Sequence, residues 1–432
     1  MQLETLQVEN FRCFENAKIT FAPQYTVLIG TNGAGKSGIL DAVSLALGSF
    51  LAGMDGVRSN AIQQEDVRFR MFMQGSVATR EPQYPVKISA QVNLNNGKPI
   101  TWSRALNGEK GRTTVREARP IMTFAQSLQN DVRQGKSGVI LPLVAYYGTG
   151  RLWNQKQTHR LYGGTDSAVF SRSHGYDDCL TAASNEKIMM QWFAHMTYLR
   201  LQEEKEIPEL QAVERAIADC YAGVDPAAKQ VKARFSVKRN ELEISVVHAD
   251  DSIEYLPLHM LSDGIRTILS MVADIAYRMA VLNPHLLDSI LQQTDGIVMI
   301  DEIDMHLHPA WQKRILADLT RIFPKIQFIV TTHAPSVLVN VKREHVRILY
   351  GNQALLPEEH TYGKDINIVL NDVMGTEVRP EKVLNLIKSF NQAIDDGNPE
   401  QAKRYLAEMH AYLGDNDPDV IRAQVALDME SI

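Results

Sequence analysis

Cysteine is scarce in this chain, and its placement excludes two common uses of the residue. Only three cysteines occur among 432 residues, Cys13, Cys179 and Cys220. No two of them form a C-x-x-C pair, and none has the spacing of a zinc site. A disulfide-stapled secreted fold and a structural zinc site are therefore both excluded, and we expect reduced thiols that serve packing.

Long apolar runs and an excess of basic charge are also lacking. No apolar run reaches the roughly 18 residues that a membrane-spanning helix needs. The first residues show neither the basic nor the apolar segment of a signal peptide, so we expect a cytoplasmic protein without membrane association. The 51 acidic and 45 basic residues give a formal net charge of −6. This charge argues against broad non-specific DNA binding by a single chain, but it is compatible with a local basic groove.

A glycine-rich loop stands between a predicted strand and a predicted helix. Residues 25–29 form a continuous apolar run, which is typical of a strand buried on both faces of a parallel sheet. Residues 30–37, GTNGAGKS, match the GxxxxGK[ST] pattern at every fixed position. Helical apolar spacing continues to residue 47, and Gly48 is expected to end the helix. Because both flanking elements are present, we interpret the segment as a phosphate-binding loop rather than an incidental glycine loop.

The loop predicts a site for ATP with Mg²⁺. The Lys36 ammonium would reach the β- and γ-phosphates, and the Ser37 hydroxyl would bind Mg²⁺. Main-chain N–H groups and the helix N-terminus would surround the β-phosphate. The loop residues that supply this cradle are Asn32, Gly33, Ala34 and Gly35. We therefore expect ATP and Mg²⁺ as the cofactors.

A second apolar strand ends in two carboxylates. Residues 296–300 are apolar, and Asp301 and Glu302 follow directly. Acids confined to the carboxyl end of a buried strand are typical of the ligand crevice of an α/β sheet. We predict that Asp301 holds Mg²⁺ through water and that Glu302 polarises the attacking water as general base. A plain solvated strand end is the alternative, and the phosphate-binding loop in the same chain disfavours it.

A third apolar strand, over residues 326–332, ends at His333. A lone histidine is more often structural, but its place after the acidic strand predicts a contact with the γ-phosphate. A neutral imidazole there would report whether that phosphate is present. His306 and His308 form an H-x-H pair between the two strands. Two imidazoles without convergent carboxylates or cysteines are a weak metal pattern, so we interpret the stretch as the loop after the acidic strand.

A strongly periodic helix is predicted over residues 265–282, upstream of the acidic strand. Ser262 and Asp263 are favourable N-cap residues, and Gly264 opens the first turn. The local pattern is compatible with a well-capped core helix. It is also compatible with a helix start that presents the Ser262 hydroxyl and the Gly264 N–H to an anion.

These motifs, in the order phosphate-binding loop, LSDG, acidic strand and histidine, resemble the SMC, Rad50 and OLD-like ABC ATPases. Residues 9–12, ENFR, resemble the N-terminal signature of that branch, and by analogy Arg12 would approach the bound nucleotide. Other motifs are similar to the PtuA-type ATPases of Septu and retron-associated antiphage systems. These are LSDGIR at 261–266, AYYGTGRLW at 145–153, and TYG at 361–363 followed by Met374 and Gly375. The resemblance spans residues 1 to 380, approximately.

The resemblance implies an α/β fold, an ABC-type P-loop ATPase head with an inserted helical and β lobe and a C-terminal helical tail. It implies that Ser262 and Gly264 complete the ATP site of a second copy, so that the chain forms a head-to-head dimer or a higher assembly of dimers. The implied partner is a separate HNH nuclease of the PtuB type, with any nucleic acid bound at the assembled complex. Asp263 and Ile265 stand where transporter ATPases have Gly and Gln, which disfavours a transporter subunit.

Three functions are compatible with this resemblance. The leading one is an ATP-hydrolysing subunit that controls the nuclease in antiphage defence. A Rad50-like or SMC-like DNA-repair ATPase is disfavoured because no sustained heptads predict a long coiled coil. The third is a scaffold that binds ATP only to hold its oligomer together. The complete set of Lys36, Asp301 and Glu302 favours hydrolysis over such a scaffold.

The spacing of the motifs predicts a divided head. About 225 residues separate the phosphate-binding loop from LSDG, which is too many for a loop. We therefore expect a head over residues 1–60 and 240–375, an inserted lobe over 61–239 and a helical tail over 376–432. Gln63 or Gln64 would serve as the loop glutamine that senses Mg²⁺ and water, and the residues themselves do not decide between them.

The inserted lobe is expected to contain two features. Residues 86–94 and 100–104 alternate like a β-hairpin, joined by the turn Asn95, Asn96 and Gly97. Residues 185–222 are expected to form a helical arm, with a stripe of methionine and aromatic residues that indicates core packing rather than a cofactor site.

The tail is predicted to be helical, with breaks before residue 381 and around residues 397–399. OLD-type nucleases have a metal-dependent toprim domain at this point. Only Asp415 and Asp417 match its acidic pair, and no apolar strand precedes them, so we predict no nuclease centre in the tail. We expect the tail to dock a partner or to build a higher oligomer.

Overall fold

A computed structural model of the protein describes residues 1–74, 77–94, 98–152, 171–181, 186–223 and 227–430. The chain divides into two compact units, Met1–Lys364 and Asp365–Ile432, here called the head and the tail. The tail therefore begins before residue 376, at Asp365, which caps a short helix by accepting a hydrogen bond from the N–H of Asn367. No helix in the described ranges is both long and apolar enough to cross a membrane.

The head contains all of the described strands and most of the helices. The strands are β1 Gln2–Phe11, β2 Phe14–Thr20, β3 Tyr25–Ile29, β4 Phe69–Gln74, β5 Val77–Pro82, β6 Val86–Asn93, β7 Ile100–Leu106, β8 Leu143–Tyr147, β9 Gln230–Ser236, β10 Glu241–Val247, β11 Ile253–Pro257, β12 Gly296–Ile300, β13 Ile326–Thr331, β14 Val346–Tyr350 and β15 Gln353–Leu355. The helices of the head are α1 Lys36–Ala52, α2 Arg119–Arg133, α3 Glu186–Glu203, α4 Pro208–Ala222, α5 Asp263–Leu282, α6 Ile290–Gln293, α7 Pro309–Gln312, α8 Ile315–Ile322 and α9 Pro335–Leu338. Those of the tail are α10 Ile366–Ile368, α11 Glu381–Asp395, α12 Pro399–Leu413 and α13 Pro418–Glu430.

A six-stranded sheet forms the centre of the head, in the order β15-β14-β3-β13-β12-β8. Five of its strands, from β14 to β8, run parallel to one another, and β15 is antiparallel at the edge. The three apolar runs predicted as buried strands are β3, β12 and β13, so those predictions are confirmed. Because parallel strands share a direction, their carboxyl ends all lie at one edge of the sheet.

A second sheet corrects the extent of the inserted lobe. Its order is β2-β1-β6-β7, with all neighbours antiparallel. The predicted hairpin is confirmed as β6 and β7, while its predicted turn at residues 95–97 lies outside the described residues. However, β6 pairs with β1 and β8 pairs with β12, so parts of residues 61–239 belong to the head's own sheets. Such pairings between distant segments leave no local pattern in the sequence.

The predicted helical arm is two helices rather than one. It breaks between α3 and α4, where Glu204 has a positive φ and Pro208 begins the second helix. Trp192 packs edge-on against Tyr277 of α5, with ring centroids 5.3 Å apart, and Phe193 stacks on Phe235 of β9. The stripe of large side chains is therefore core packing, as predicted.

Helix α1 is longer than the sequence pattern indicates. The prediction that it ends at Gly48 is wrong, because the helix continues to Ala52 and is capped by Gly53. Gly48 is buried inside the helix, and a Cβ at this position would overlap the side-chain oxygen of Asn60. The glycine therefore allows close packing rather than ending the helix.

The tail is a bundle of helices with its own core. Helices α11, α12 and α13 begin and end close to the predicted breaks, which confirms that part of the sequence analysis. Its buried apolar side chains include Leu386, Phe390, Leu406, Met409 and Val420. Asp417, one of the two acids compared with a toprim pair, lies in the turn before α13 and pairs with Arg379 at 2.8 Å.

The approach of β8 to β12 leads to a prediction about stability. A Cβ at Gly296, the first residue of β12, would overlap the main-chain oxygen of Leu143. We expect Gly296→Ala to lower the free energy of unfolding by about 1–3 kcal/mol, since the two strands must move apart. Gly108→Ala is the matched control, because a Cβ there meets no atom within 4 Å. Equal denaturation midpoints for the two variants would contradict the prediction.

Candidate functional site

The phosphate-binding loop connects β3 to α1, as the sequence predicts. Gly33 and Gly35 have φ values of 82° and 94°, a region that favours glycine. Gly35 also has no room for a side chain, since a Cβ would overlap the ring of Phe14. The chain therefore enters α1 through a left-handed residue at its N-cap, which leaves the first N–H groups of the helix facing the loop.

Lys36 lies across this loop. Its ammonium donates hydrogen bonds to the carbonyls of Gly30 at 2.8 Å and Thr31 at 3.1 Å. Burial lowers the pKa of Lys36, while the carboxylates of Asp301, Glu302 and Asp304 act in the opposite direction. These interactions show that the lysine of the loop and the acids after β12 share one electrostatic environment.

The acidic strand end is organised by Thr331, at the end of the neighbouring strand β13. The Thr331 hydroxyl donates to Asp301 Oδ1 at 2.6 Å and accepts the N–H of Glu302 at 2.7 Å. Glu302 has a φ of 47°, so the chain turns sharply directly after the buried Asp301. The sequence analysis missed Thr331; the available signal was a hydroxyl residue at the carboxyl end of an apolar strand.

His333 follows β13, which lies between the strand of the phosphate-binding loop and the strand of the acids. This order places the half-buried histidine at the same sheet edge as Lys36 and Asp301. The preceding Thr332 donates to Asp304 Oδ1 at 2.6 Å and accepts the N–H of Ala334. Thr331 and Thr332 thus each form hydrogen bonds to the acidic segment, and they join it to the segment that contains His333.

The H-x-H pair lies in the loop after the acids. His306 has a φ of 62°, and the His308 side chain caps α7 by accepting the N–H of Ala310 at 3.3 Å. In the part of the chain that the structure describes, no group of three or more His, Cys, Asp or Glu residues is arranged to hold a metal ion.

The LSDG segment begins α5, with Ser262 at the N-cap, so the predicted helix start is confirmed. Gly264 is buried against the loop after the acids, where a Cβ would overlap the main-chain oxygen of His306. Ser262 is exposed, and its side chain makes no capping hydrogen bond to α5. The glycine therefore fixes the helix start to its own chain, while the serine faces outward.

Arg12 lies beside the first turns of α1. Its Nε donates to Asp66 Oδ1 at 3.0 Å, and its guanidinium also pairs with Asp41 of α1. A Cβ at Gly38 would lie 3.6 Å from the Arg12 Cδ, which places the arginine next to the start of the helix. The two acids raise the pKa of Arg12 despite the opposing effect of burial. Asp41 and Asp66 were not recognised from the sequence.

The two candidate loop glutamines differ in their contacts. The Gln64 amide donates to the carbonyl of Glu109 and accepts the Tyr84 hydroxyl at 2.6 Å. The Gln63 side chain donates only locally, to the carbonyl of Ala61 at 3.2 Å. Both are exposed, and both precede Asp66, the partner of Arg12.

Two consecutive tyrosines at the end of β8 contact different helices. Tyr146 hydrogen-bonds to Asp41 of α1, and burial raises its pKa. The Tyr147 hydroxyl donates to Asp274 Oδ2 of α5 at 2.7 Å. Both residues belong to the motif at 145–153, whose last residue, Trp153, lies outside the described residues.

Three curated proteins are similar to this chain over half of its length or more. The "Retron Ec83 probable ATPase" of Escherichia coli is 23% identical over 99% of this chain and 87% of its own length. The "Retron Vc95 probable ATPase" of Vibrio cholerae is 25% identical over 93% of this chain and 85% of its own length. The "Septu protein PtuA" of Bacillus thuringiensis is 26% identical over 54% of this chain and 60% of its own length.

Family models match across the head. A model described as an AAA domain matches residues 5–224, which is half of the chain and includes the phosphate-binding loop. A second AAA-domain model matches residues 200–340, which include LSDG, the acidic strand and His333. The chain therefore belongs to the AAA-domain family, and it is an ATPase.

Proposed function

We propose that the sheet edge at Lys36, Asp301 and His333 binds ATP and hydrolyses its γ-phosphate. The observation that supports this most directly is the Thr331 hydroxyl, which joins the strand leading to His333 to both acids. Glu302 acts as the general base toward water, and Lys36 binds the β- and γ-phosphates. His333 contacts the γ-phosphate from the strand between them, and Arg12 approaches the nucleotide from the side of α1.

The loop main chain and Mg²⁺ complete the binding site. The N–H groups of residues 32–35 surround the β-phosphate at the N-terminus of α1, where the helix dipole favours negative charge. The Ser37 hydroxyl and the Asp301 carboxylate supply oxygen donors of the kind that Mg²⁺ prefers. When bound, the ion neutralises charge on the phosphate oxygens.

We further propose that the ATP site is shared between two copies of the chain. Ser262 is exposed at the start of a long helix, and the adjacent Gly264 fastens that start to the loop after the acids. A second copy would then place its Ser262 hydroxyl and Gly264 N–H against the γ-phosphate of the first. ATP would hold the two heads together, and hydrolysis would release them.

In the cell, we propose that this ATPase acts in antiphage defence and controls a separate HNH nuclease. The retron and Septu relatives cover most or half of the chain, which supports the defence setting. The tail supports a protein partner, because 13 acidic and six basic residues give residues 365–432 a formal net charge of −7. A nuclease binds phosphates through basic residues, so its surface is complementary in charge to such a tail.

The proposed contact on the tail is an apolar stripe on α13. Ile421, Val425 and Met429 follow one another at four-residue intervals and are 51%, 52% and 72% exposed. Residues at this spacing lie on one face of a helix. The tail that carries this apolar stripe is acidic overall, which matches an apolar groove with a basic rim.

The first test compares the wild-type chain with Glu302→Gln. We expect ATP turnover to fall by about 10²- to 10⁴-fold, because the substituted amide cannot accept the proton from water. ATP binding and the mass of the ATP-bound assembly should be retained or increased. Turnover is measured by phosphate release and mass by light scattering. Negligible turnover in both proteins, with an assembly that still requires ATP, would instead support the nucleotide-held scaffold.

The shared site is tested by mixing two inactive variants. Lys36→Ala removes the phosphate ligand of a chain, and Ser262→Arg blocks the surface that the chain offers to its neighbour. In a mixed dimer, one intact loop faces one intact LSDG segment. We therefore expect each variant alone to be inactive and an equal mixture to regain about a quarter of wild-type turnover, for random pairing in a two-fold dimer. A mixture as inactive as its components would exclude the shared site.

The role of the tail is tested by deleting residues 381–432. We expect the deletion to abolish co-purification with an HNH nuclease encoded beside this chain, while ATP turnover by the head is retained. Ile421→Asp with Val425→Asp should have the same effect without removing the tail. Ala407→Asp with Ala411→Asp is the matched control, since it adds the same charges at the same spacing to exposed positions of α12. Intact complex formation after the deletion would overturn the proposal.

A further inference from the structure

The hydroxyl of Tyr147 makes a buried hydrogen bond between the central sheet and the LSDG helix. It donates to Asp274 Oδ2 at 2.7 Å, and Arg278 Nε donates to the same oxygen at 2.7 Å. All three residues are at most 5% exposed. Burial raises the pKa of Tyr147 well above its ordinary value, so the hydroxyl stays protonated and remains a donor.

The main chain of the same residue contacts the ATP site. The carbonyl of Tyr147 accepts the N–H of Asp301 at 2.8 Å, which extends the pairing of β8 with β12 to the acid itself. A displacement of Asp301 along or across the sheet therefore moves Tyr147 with it. The side chain of Tyr147 then transmits that displacement to Asp274, in the fourth turn of α5.

The far side of the Asp274 contact is fixed in place. Arg278 NH1 donates to the carbonyls of Gly175 at 3.0 Å and Asp177 at 2.9 Å. Burial opposes the charge of Arg278, but the interaction with Asp274 raises the pKa of Arg278, so the guanidinium stays charged. Helix α5 is thus held between β8 on one side and the segment that contains Gly175 and Asp177 on the other.

A second contact joins the same two parts of the head at the start of α5. Gly264 packs directly against the main-chain oxygen of His306, in the loop that follows Asp301 and Glu302. The helix is therefore attached to the acidic segment at its first turn and to the neighbouring strand at its fourth turn. Because α5 is attached at two points along its axis, we expect the helix to move as one rigid body.

We propose that Tyr147 is a positioning residue that couples the ATP site of a chain to the LSDG segment that the same chain offers to its neighbour. The inference rests on the shared site proposed above. Occupancy at Asp301 alters the position of β8, and Tyr147 carries the change to α5 and so to Ser262. The two ATP sites of a dimer then influence each other, because each chain supplies one half of both.

The alternative is that the hydroxyl serves stability alone. A phenylalanine would fill the same space, and a buried tyrosine hydroxyl contributes a hydrogen bond of modest net value. Tyr176 provides a control for that alternative, since it is equally buried and its hydroxyl donates to the carbonyl of Pro142 at 2.8 Å, just before β8. Each variant therefore removes one buried hydroxyl. Tyr147→Phe removes the hydroxyl that contacts α5, and Tyr176→Phe removes the one that contacts the main chain just before β8.

The experiment compares the wild-type chain with these two variants. Three quantities are measured: ATP affinity of the dilute chain, the strength of ATP-dependent self-association, and the Hill coefficient of turnover against ATP concentration. Tyr147→Phe leaves Asp274 paired with Arg278, so the substitution does not leave a buried charge without its partner. We expect its ATP affinity to stay within about twofold of wild type, while self-association weakens by about 5- to 150-fold and cooperativity is lost.

The control and the outcomes separate the two proposals. Tyr176→Phe should lose as much thermal stability as Tyr147→Phe and keep wild-type association and cooperativity. If the two variants self-associate equally strongly with ATP, the proposed coupling role of Tyr147 is wrong. That result would not contradict the proposal of a shared ATP site. A loss of ATP affinity by Tyr147→Phe in the dilute chain would also overturn the coupling role, because the residue would then act within its own site. A wild-type chain that does not associate with ATP would overturn the shared site and the coupling together.

Discussion

Parallel pairing of β3, β13, β12 and β8 is the constraint on which the rest of the structure depends. Each strand ends at the same edge, so the segments that follow them meet there whatever their separation along the chain. The Thr331 hydroxyl then holds Asp301 and the N–H of Glu302 in one arrangement. The lysine of the phosphate-binding loop lies within the field of these acids because its strand is next but one in the sheet. The geometry of the site is thus a consequence of strand order.

The sequence was sufficient for features with a local signal. The phosphate-binding loop predicted a strand before it and a helix after it, since only that arrangement brings successive N–H groups together at a helix start. Continuous apolar runs identified β12 and β13, because a strand with both faces buried needs no polar alternation. Ser262 and Asp263 predicted the start of α5 because such residues favour helix N-termini, although Ser262 makes no capping hydrogen bond. The family resemblance then ordered these motifs into an ATPase head, and the family comparisons confirm it.

Features that depend on distant segments could not be predicted in the same way. The end of α1 was misplaced because a glycine inside a helix and a glycine after one look alike until Asn60 is known to lie against it. The pairing of β6 with β1 joins segments about 80 residues apart, and neither strand specifies its partner by composition. Tyr146 and Tyr147 end strand β8, and no local pattern indicates that their side chains contact α1 and α5 respectively. Residues whose side chains join one helix or strand to another were missed, whereas residues that mark the start of a helix or the end of a strand were found.

The net charge of the whole chain does not show how charge is distributed between the tail and the head, and that distribution bears on function. The overall value of −6 conceals a division, since the tail alone is −7 and the head retains 39 basic and 38 acidic residues. An argument from total charge against nucleic-acid contact therefore applies to the tail and not to the head, where the field depends on local clusters. The arginine-rich stretch from residue 104 to 119 belongs to the head. The proposed separation of partner binding from nucleotide chemistry rests on this division, because an acidic tail repels phosphates and attracts basic protein surfaces, whereas the ATPase head is nearly neutral.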